Sequence, residues 1–176
     1  MWEWQERSNN SFNLNKSRPP FDDIRVRRAM QMALDLDTMT AAYFSGYADT
    51  EPRGHLDKQW ANLGYVVPYD EWPEEIKGYY TYNKEGAEAL LDEAGLERRD
   101  DGYRFDVEFS HFNRWPVAWS ELVASYWDAI GVKINLITPA AAEHNARQRA
   151  GEFDTCLLYT SPSPRDRTRS RMPSSA

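Results

Sequence analysis

The sequence has little of several residues and patterns on which common protein functions depend. It contains one cysteine, Cys156, which says nothing about disulfide bonds or the redox compartment. Its nine glycines are scattered, and none belongs to a phosphate-binding loop. The G-x-S-x-G pattern of serine hydrolases and the H-E-x-x-H pattern of zinc proteases are both missing. His55, His111 and His144 lack the spacing of a zinc site, and each is more typical of a surface or loop residue.

Long apolar stretches and a basic excess are also missing. A helix needs about 20 apolar residues to span a membrane, and no apolar run of the sequence approaches that length. Residues 1–4 have neither the basic start nor the apolar segment of a secretory signal peptide. The 21 lysines and arginines face 28 aspartates and glutamates, and this acidic balance argues against nucleic acid and anionic membrane surfaces as partners. The 41% hydrophobic and 14% aromatic content is that of a globular protein.

The periodicity of the apolar residues predicts alternating helices and strands after residue 80. Asp22 or Asp23 is suited to cap a first helix, and Asp37 is suited to cap a second. Strand, helix, strand, helix is the order of a βαβ unit, so we expect an α/β lobe with parallel strand pairing. The predicted helices span 23–36, 38–45, 83–94, 116–130 and 140–150, the predicted strands span 103–109 and 132–136, and a third strand is expected to open at 153–154.

The apolar positions of these elements predict one hydrophobic core. Along 103–109, aromatic and aliphatic residues alternate with Arg104, Asp106 and Glu108, as in a strand that is buried on one face. Residues predicted to be largely buried together are Leu90, Leu91, Val107, Phe109, Val123, Trp127, Ile134 and Leu136.

The end of the chain differs in composition from the rest. Residues 156–176 contain five serines, three prolines, four arginines and one aspartate, whereas the whole chain has a net charge of −7. Such a segment cannot bury a core, so we expect residues 156–176 to be a disordered tail. The stretch 157–171 resembles translated sequencing-adapter DNA, which favours a non-native origin. The alternatives are a native disordered arm and a basic arm for nucleic acid.

Four motifs in order resemble one protein family. The segment PPFDDIRVRRA at 19–29 is similar to the PPFDDxRVRxA segment of the extracytoplasmic solute-binding proteins of family 5, the dipeptide, oligopeptide and nickel receptors of ABC importers. The segments YTYNKEGAEALLDEAGL at 80–96, DAIGVKI at 128–134 and GEFD at 151–154 resemble later motifs of that family. The resemblance runs from about Phe12 to Thr155.

The resemblance implies both a fold and a function. Residues 1–155 are expected to form part of the second lobe of a type II periplasmic-binding-protein-like fold, an α/β lobe that is truncated here. The implied function is that of a non-enzymatic receptor that captures a peptide or similar small solute and delivers it to the permease of an ABC importer. No cofactor, metal, nucleic acid or membrane span is implied, and a full-length parent would be periplasmic or otherwise extracytoplasmic. The alternatives are a hydrolase domain acting on a peptide or sugar and a cytoplasmic interaction domain.

One loop carries the candidate ligand-binding residues, His111, Phe112, Arg114 and Trp115. It joins a predicted strand to the helix that begins at Pro116, and ligands of α/β lobes bind beside such strand ends and helix N-termini. An arginine there suits a ligand carboxylate through two parallel hydrogen bonds, and aromatic neighbours supply an apolar wall. In the dipeptide receptors that the chain resembles, an arginine in this loop holds that carboxylate. The alternative is a solvent-facing Arg114, with Trp115 packing at the helix start.

Overall fold

The computed structural model describes residues 9–48, 50–52, 64–65, 67–112 and 116–160. A short 3-10 turn spans Tyr69–Glu71. The helices are α1 (Ile24–Met32), α2 (Leu36–Phe44), α3 (Glu74–Gly78), α4 (Lys84–Glu93), α5 (Val117–Ala129) and α6 (Ala141–Ala150), and the strands are β1 (Asn9–Leu14), β2 (Phe105–Ser110), β3 (Val132–Ile137) and β4 (Thr155–Thr160). Over the part of the chain that is described, no helix is long and apolar enough to cross a membrane.

The four strands form one mixed sheet in the order β1-β4-β2-β3. β2 pairs in parallel with β3 and with β4, so the predicted βαβ unit and its parallel pairing are confirmed. β1 lies antiparallel to β4 and was not predicted. Its sequence, NNSFNL, is rich in asparagine and serine, which have little tendency to form strands, and pairing with β4 overrides that tendency.

The predicted boundary of the tail is wrong by five residues. Cys156–Thr160 continue β4, which pairs with β1 from Leu14↔Thr155 to Asn9↔Thr160 and with β2 at Ser110↔Cys156. The polar composition of the following residues concealed a short strand-forming run, CLLYT. The remaining part of the predicted tail, residues 161–176, lies outside the described residues.

Aspartate caps define the first two helices. Asp23 caps α1 as predicted, since its Oδ1 accepts a hydrogen bond from the Arg25 backbone N–H at 2.8 Å. The first helix was predicted to reach residue 36, but it ends at Met32 because Asp35 already caps α2. Asp37, the predicted cap, lies in the first turn of α2, where its charge is favourable.

The core lies between the sheet and the helices α1, α4 and α5. Five of the eight predicted core residues are fully buried, and three others are partly buried against the same cluster. The partly buried residues include Ile134 and Leu136 on β3, which is the edge strand next to β2 in the described part of the sheet. The fully buried ones are Leu91, Val107, Phe109, Val123 and Trp127.

Trp127 of α5 connects the layers of the core. Its ring centroid lies 5.7 Å from that of Phe109 on β2 and 5.8 Å from that of Phe12 on β1. Its Nε1 donates a hydrogen bond of 2.9 Å to the Met30 carbonyl, near the C-terminal end of α1 where carbonyls lack partners within the helix. The predicted packing of α5 onto the sheet is thereby confirmed.

Arg104 corrects the predicted alternation before β2. The sequence pattern placed it on the solvent side, but its side chain is 3% exposed. It donates to the Leu96 carbonyl at 2.6 Å and to the Ile130 carbonyl at 3.1 Å, and it also pairs with the Asp92 carboxylate. Arg104 precedes the first residue of the strand, so the strand period does not control its direction. The buried guanidinium ties the end of α4 to the end of α5.

Candidate functional site

The candidate site lies where β2 and β3 end and α5 begins. β2 ends at Ser110, and the His111 backbone N–H donates to the Ile137 carbonyl at 2.8 Å, which extends the pairing with β3 by one step. The chain re-enters described structure at Pro116, the N-cap of α5. The loop at 111–116, called the ligand loop below, therefore joins a strand end to a helix N-terminus, as predicted.

His111 and Phe112, the two site residues that the structure describes, contact the helices α5 and α6. His111 is 1% exposed, and its Nδ1 lies 2.8 Å from the Ser120 hydroxyl in the first turns of α5. Phe112 is half-buried, and its ring centroid lies 5.1 Å from that of His144 at an interplanar angle of 40°. Arg114 and Trp115 lie outside the described residues, so the ligand contacts of all four residues stay a prediction.

His144 is a component of the site that the sequence did not predict. It was expected at the surface or in a loop, as was His111, but both histidines are buried. The His144 Nδ1 lies 2.9 Å from the hydroxyl of Ser110, the last residue of β2. Burial lowers the pKa of His144 below its usual value, and the nearby His111 and Arg147 lower it further. These surroundings therefore favour the neutral form of His144.

Asp154 of the GEFD motif, directly before β4, contacts both β2 and Arg18. Asp154 accepts a hydrogen bond of 3.1 Å from the Glu108 backbone N–H on β2 and forms an ion pair of 3.0 Å with Arg18. The Glu108 carboxylate in turn pairs with Arg147 of α6. These contacts fix α6 and the start of β4 against β2, so Asp154 of the motif has a structural role here.

The N-terminus of α5 suits a negatively charged group. Pro116 makes no side-chain cap bond, and the first turn of the 13-residue helix contains no acidic residue. Helix N-termini carry a partial positive charge and backbone N–H donors, which attract carboxylates and phosphates. A cluster of three or more metal-binding side chains does not occur among the described residues.

Comparison with known families gives one match over nearly the whole chain. The profile of "Bacterial extracellular solute-binding proteins, family 5 Middle" matches residues 5–174. Among curated proteins, the chain is 27% identical over 154 residues to the dipeptide-binding protein of Escherichia coli (strain K12), an alignment that covers 84% of this chain and 25% of that protein. It is 31% identical over 149 residues to heme-binding protein A of Haemophilus influenzae, covering 81% and 24%.

Solved structures show the same fold. NikA from Brucella suis, in complex with Fe(III)-EDTA, superposes with a TM-score of 0.69 at 25% identity, over 90% of this chain and 32% of that chain. The periplasmic binding protein DppA from Helicobacter pylori, in complex with the peptide STSA, gives a TM-score of 0.71 at 16% identity, over 88% and 27%. These likenesses confirm the predicted lobe of a type II periplasmic-binding-protein-like fold.

The chain covers only a small part of each relative. The chain spans about a quarter of the length of the curated relatives it matches. It therefore corresponds to one part of a larger binding protein in those relatives.

Proposed function

Because the chain belongs to the bacterial extracellular solute-binding proteins of family 5, we propose that it forms part of the ligand-binding lobe of an ABC importer receptor. The full receptor would capture a small solute outside the inner membrane and deliver it to a permease. The family is one of non-enzymatic binding proteins, and the hydrolase alternative is therefore set aside. The full-length protein is proposed to be periplasmic or otherwise extracytoplasmic.

A peptide is the proposed ligand. Names of matched relatives support this choice, since they include dipeptide-binding, di/tripeptide-binding and glutathione-binding proteins. Another relative is named for heme, and one solved structure contains Ni(L-His), so the family accommodates several chemistries. A peptide carries a terminal carboxylate, which suits the helix N-terminus next to the ligand loop.

The observation that carries the proposal is the position of the ligand loop. It leaves β2 at the carboxyl edge of the sheet and enters α5, whose first turn lacks an acidic residue. In the proposed receptor, Arg114 binds the ligand carboxylate through two parallel hydrogen bonds. Phe112 and Trp115 form an apolar wall beside it, and His111 holds the loop to α5. A second lobe closes over the ligand by a hinge motion.

The test places this chain in a full-length receptor. Residues 9–160 replace the matched segment of the E. coli dipeptide-binding protein, and calorimetry measures the affinity of the hybrid for glycyl-leucine. Arg114→Gln should weaken binding by about 1.5–3 kcal/mol, because a charge-assisted pair is lost. The matched control is Arg149→Gln, which removes an exposed arginine of α6 and should leave affinity unchanged.

A second ligand isolates the carboxylate contact. Glycyl-leucine amide lacks the terminal charge, so it should bind the unmodified hybrid more weakly than the free acid. Arg114→Gln should then weaken the amide little further, because both changes remove the same interaction. Equal losses with both ligands, or unchanged affinity after Arg114→Gln, would refute the carboxylate role of Arg114. A folded hybrid that binds no dipeptide would refute the proposed ligand class.

A further inference from the structure

Three aromatic side chains around the 3-10 turn and α3 form one cluster at the surface. The ring centroid of Trp72 lies 5.4 Å from that of Tyr69 and 5.5 Å from that of Tyr80, and both pairs meet edge to face. Tyr80 is 40% exposed, and the other two residues are half-buried. Tyr69, Trp72 and Tyr80 are called the aromatic surface below. None of them belongs to the ligand loop, so this surface is independent of the proposed function.

Exposed apolar residues are concentrated in this part of the chain. Among the described residues, seven large hydrophobic side chains are exposed, and four of them lie between residues 65 and 82. These four are Tyr65, Val67, Tyr80 and Tyr82. Single exposed apolar residues are ordinary on a protein surface, whereas a group of them is typical of a binding site for another protein. Tyrosine and tryptophan are also enriched among the residues that contribute most to interfaces.

The aromatic surface is held in place by contacts within the chain. The Trp72 Nε1 donates to the Val67 carbonyl at 3.0 Å, and the Trp72 backbone N–H donates to the Tyr69 carbonyl at 3.1 Å. The Lys77 Nζ donates to the Asp70 carbonyl at 2.9 Å and lies 5.9 Å from the centroid of the Tyr69 ring. A partner that binds here therefore orders few side chains, which favours affinity. Since the indole donor of Trp72 is already used, its ring is left for recognition.

Acidic residues lie next to the aromatic surface. Residues 67–82 contain four carboxylates and one lysine, which gives this segment a net charge of −3. Lys77 is already paired with Glu74 at 2.7 Å. The exposed Asp70, Glu71 and Glu75 form no ion pair with any described residue. This charge favours a positively charged partner and opposes an anionic membrane or a nucleic acid.

The chain itself contains one contact of the kind that such a partner would make. The Arg28 guanidinium of α1 lies 3.9 Å from the centroid of the Tyr79 ring, directly before Tyr80 in the sequence. A guanidinium stacks on aromatic rings and also binds carboxylates through two hydrogen bonds, whereas an ammonium is a compact and strongly hydrated charge. Aromatic rings beside carboxylates therefore suit arginine better than lysine.

We propose that the aromatic surface docks a basic segment of a partner protein, whose arginine side chain lies against Trp72 and Tyr80 and pairs with the acidic residues beside them. The rings supply the contact for the planar guanidinium, and the carboxylates supply the charge that selects a basic segment. A second copy of this chain and an anionic membrane are the competing occupants, and the measurements below distinguish them from a basic segment.

Nuclear magnetic resonance of the 176-residue chain tests the proposal with a defined peptide. The probe is an acetylated and amidated pentapeptide in which arginine and glycine alternate. It should cause saturable shifts of the Trp72 indole N–H and of the backbone amides of residues 69–80. The same peptide with lysine should bind more weakly, because it keeps the charge but loses the planar group. The peptide with citrulline keeps the shape without the charge and should cause no saturable shift.

A pair of variants tests the contribution of the rings. Trp72→Leu should weaken binding of the arginine peptide by about 2–5-fold, which is the contribution of a cation on one exposed ring. Tyr47→Leu is the control, since it removes a tyrosine that is 95% exposed and lies outside the aromatic surface, and it should leave affinity unchanged. Far-UV circular dichroism checks that both variants keep the fold.

A second pair of variants tests the contribution of the charges. Replacing Glu71 and Glu75 together by glutamine should weaken binding of the arginine peptide. The control replaces Glu143 of α6 and Glu152 by glutamine, which changes the net charge equally at exposed positions outside the segment 67–82 and should weaken binding less.

Several results would overturn the proposal. They are the absence of saturable shifts with the arginine peptide, shifts centred on other residues, and equal affinity for the lysine or citrulline peptide. Shifts of the Trp72 indole N–H that grow with chain concentration, without any peptide, would assign the surface to a second copy instead. The same shifts with phosphatidylglycerol vesicles would assign it to a membrane. If Trp72→Leu does not fold, the three peptides on the unmodified chain and the glutamine variants decide.

Discussion

Replacing Trp127 by phenylalanine tests how the core joins its layers. Trp127 is 1% exposed and donates a hydrogen bond to the Met30 carbonyl of α1. Phenylalanine keeps an aromatic ring but removes the donor, so a buried carbonyl loses its partner at a cost of about 1–3 kcal/mol. The smaller ring also leaves a cavity, which costs about 1 kcal/mol. We therefore expect the free energy of unfolding to fall by about 2–4 kcal/mol.

The chain offers a matched control for this substitution. Trp72 also donates through Nε1, to the Val67 carbonyl at 3.0 Å, but Trp72 is only half-buried and Val67 is 58% exposed. Water can replace the lost donor there, so Trp72→Phe should cost less than about 1 kcal/mol. Urea unfolding followed by circular dichroism measures both variants.

The two tryptophan variants should differ clearly in their loss of stability. Equal losses of stability in both variants would mean that burial of the acceptor does not control the cost. A loss below about 0.5 kcal/mol for Trp127→Phe, the size of an ordinary surface change, would contradict its central place in the core.

Three further predictions concern packing, the end of the chain and pH. Leu91→Ala should cost about 2–5 kcal/mol in urea unfolding. Leu90→Ala should cost clearly less, since Leu91 is fully buried and Leu90 only partly. Equal costs would contradict this difference in burial. Deleting residues 161–176 should change the free energy of unfolding by less than about 0.5 kcal/mol in the same urea experiment. Deletion from residue 157 onward should cost much more, because β4 loses most of its pairing with β1. A larger loss from the shorter deletion would contradict the position of β4. The lowered pKa of His144 means that the unfolded chain binds its proton first as the pH falls. Stability should therefore be complete above about 6.5 and decline below it, and thermal unfolding of His144→Gln should lack this component.

Local signals account for the parts of the fold that the sequence predicted. Asn83 caps α4 by accepting from the Gly86 backbone N–H at 2.8 Å, an interaction between near neighbours that a sequence pattern contains. β2 and β3 were likewise visible as runs of aromatic and branched residues. β1 was missed because its stability comes from pairing with β4, more than 140 residues further along the chain.

The candidate site also has one part that the sequence predicted and one part that it did not. The position of the ligand loop followed from the strand before it and from Pro116 after it. The burial of His144 did not, because α6 has no continuous apolar face and its partner, Ser110, is 34 residues away. Such a contact exists only after the sheet has brought β2 and α6 together.

The proposed binding of a peptide carboxylate by the ligand loop can be observed in a crystal structure of the hybrid receptor with glycyl-leucine. In that structure, the Arg114 guanidinium should lie within about 2.7–2.9 Å of both carboxylate oxygens, with Phe112 or Trp115 beside the ligand. A ligand carboxylate bound elsewhere, with Arg114 directed into solvent, would refute the proposed role of the loop.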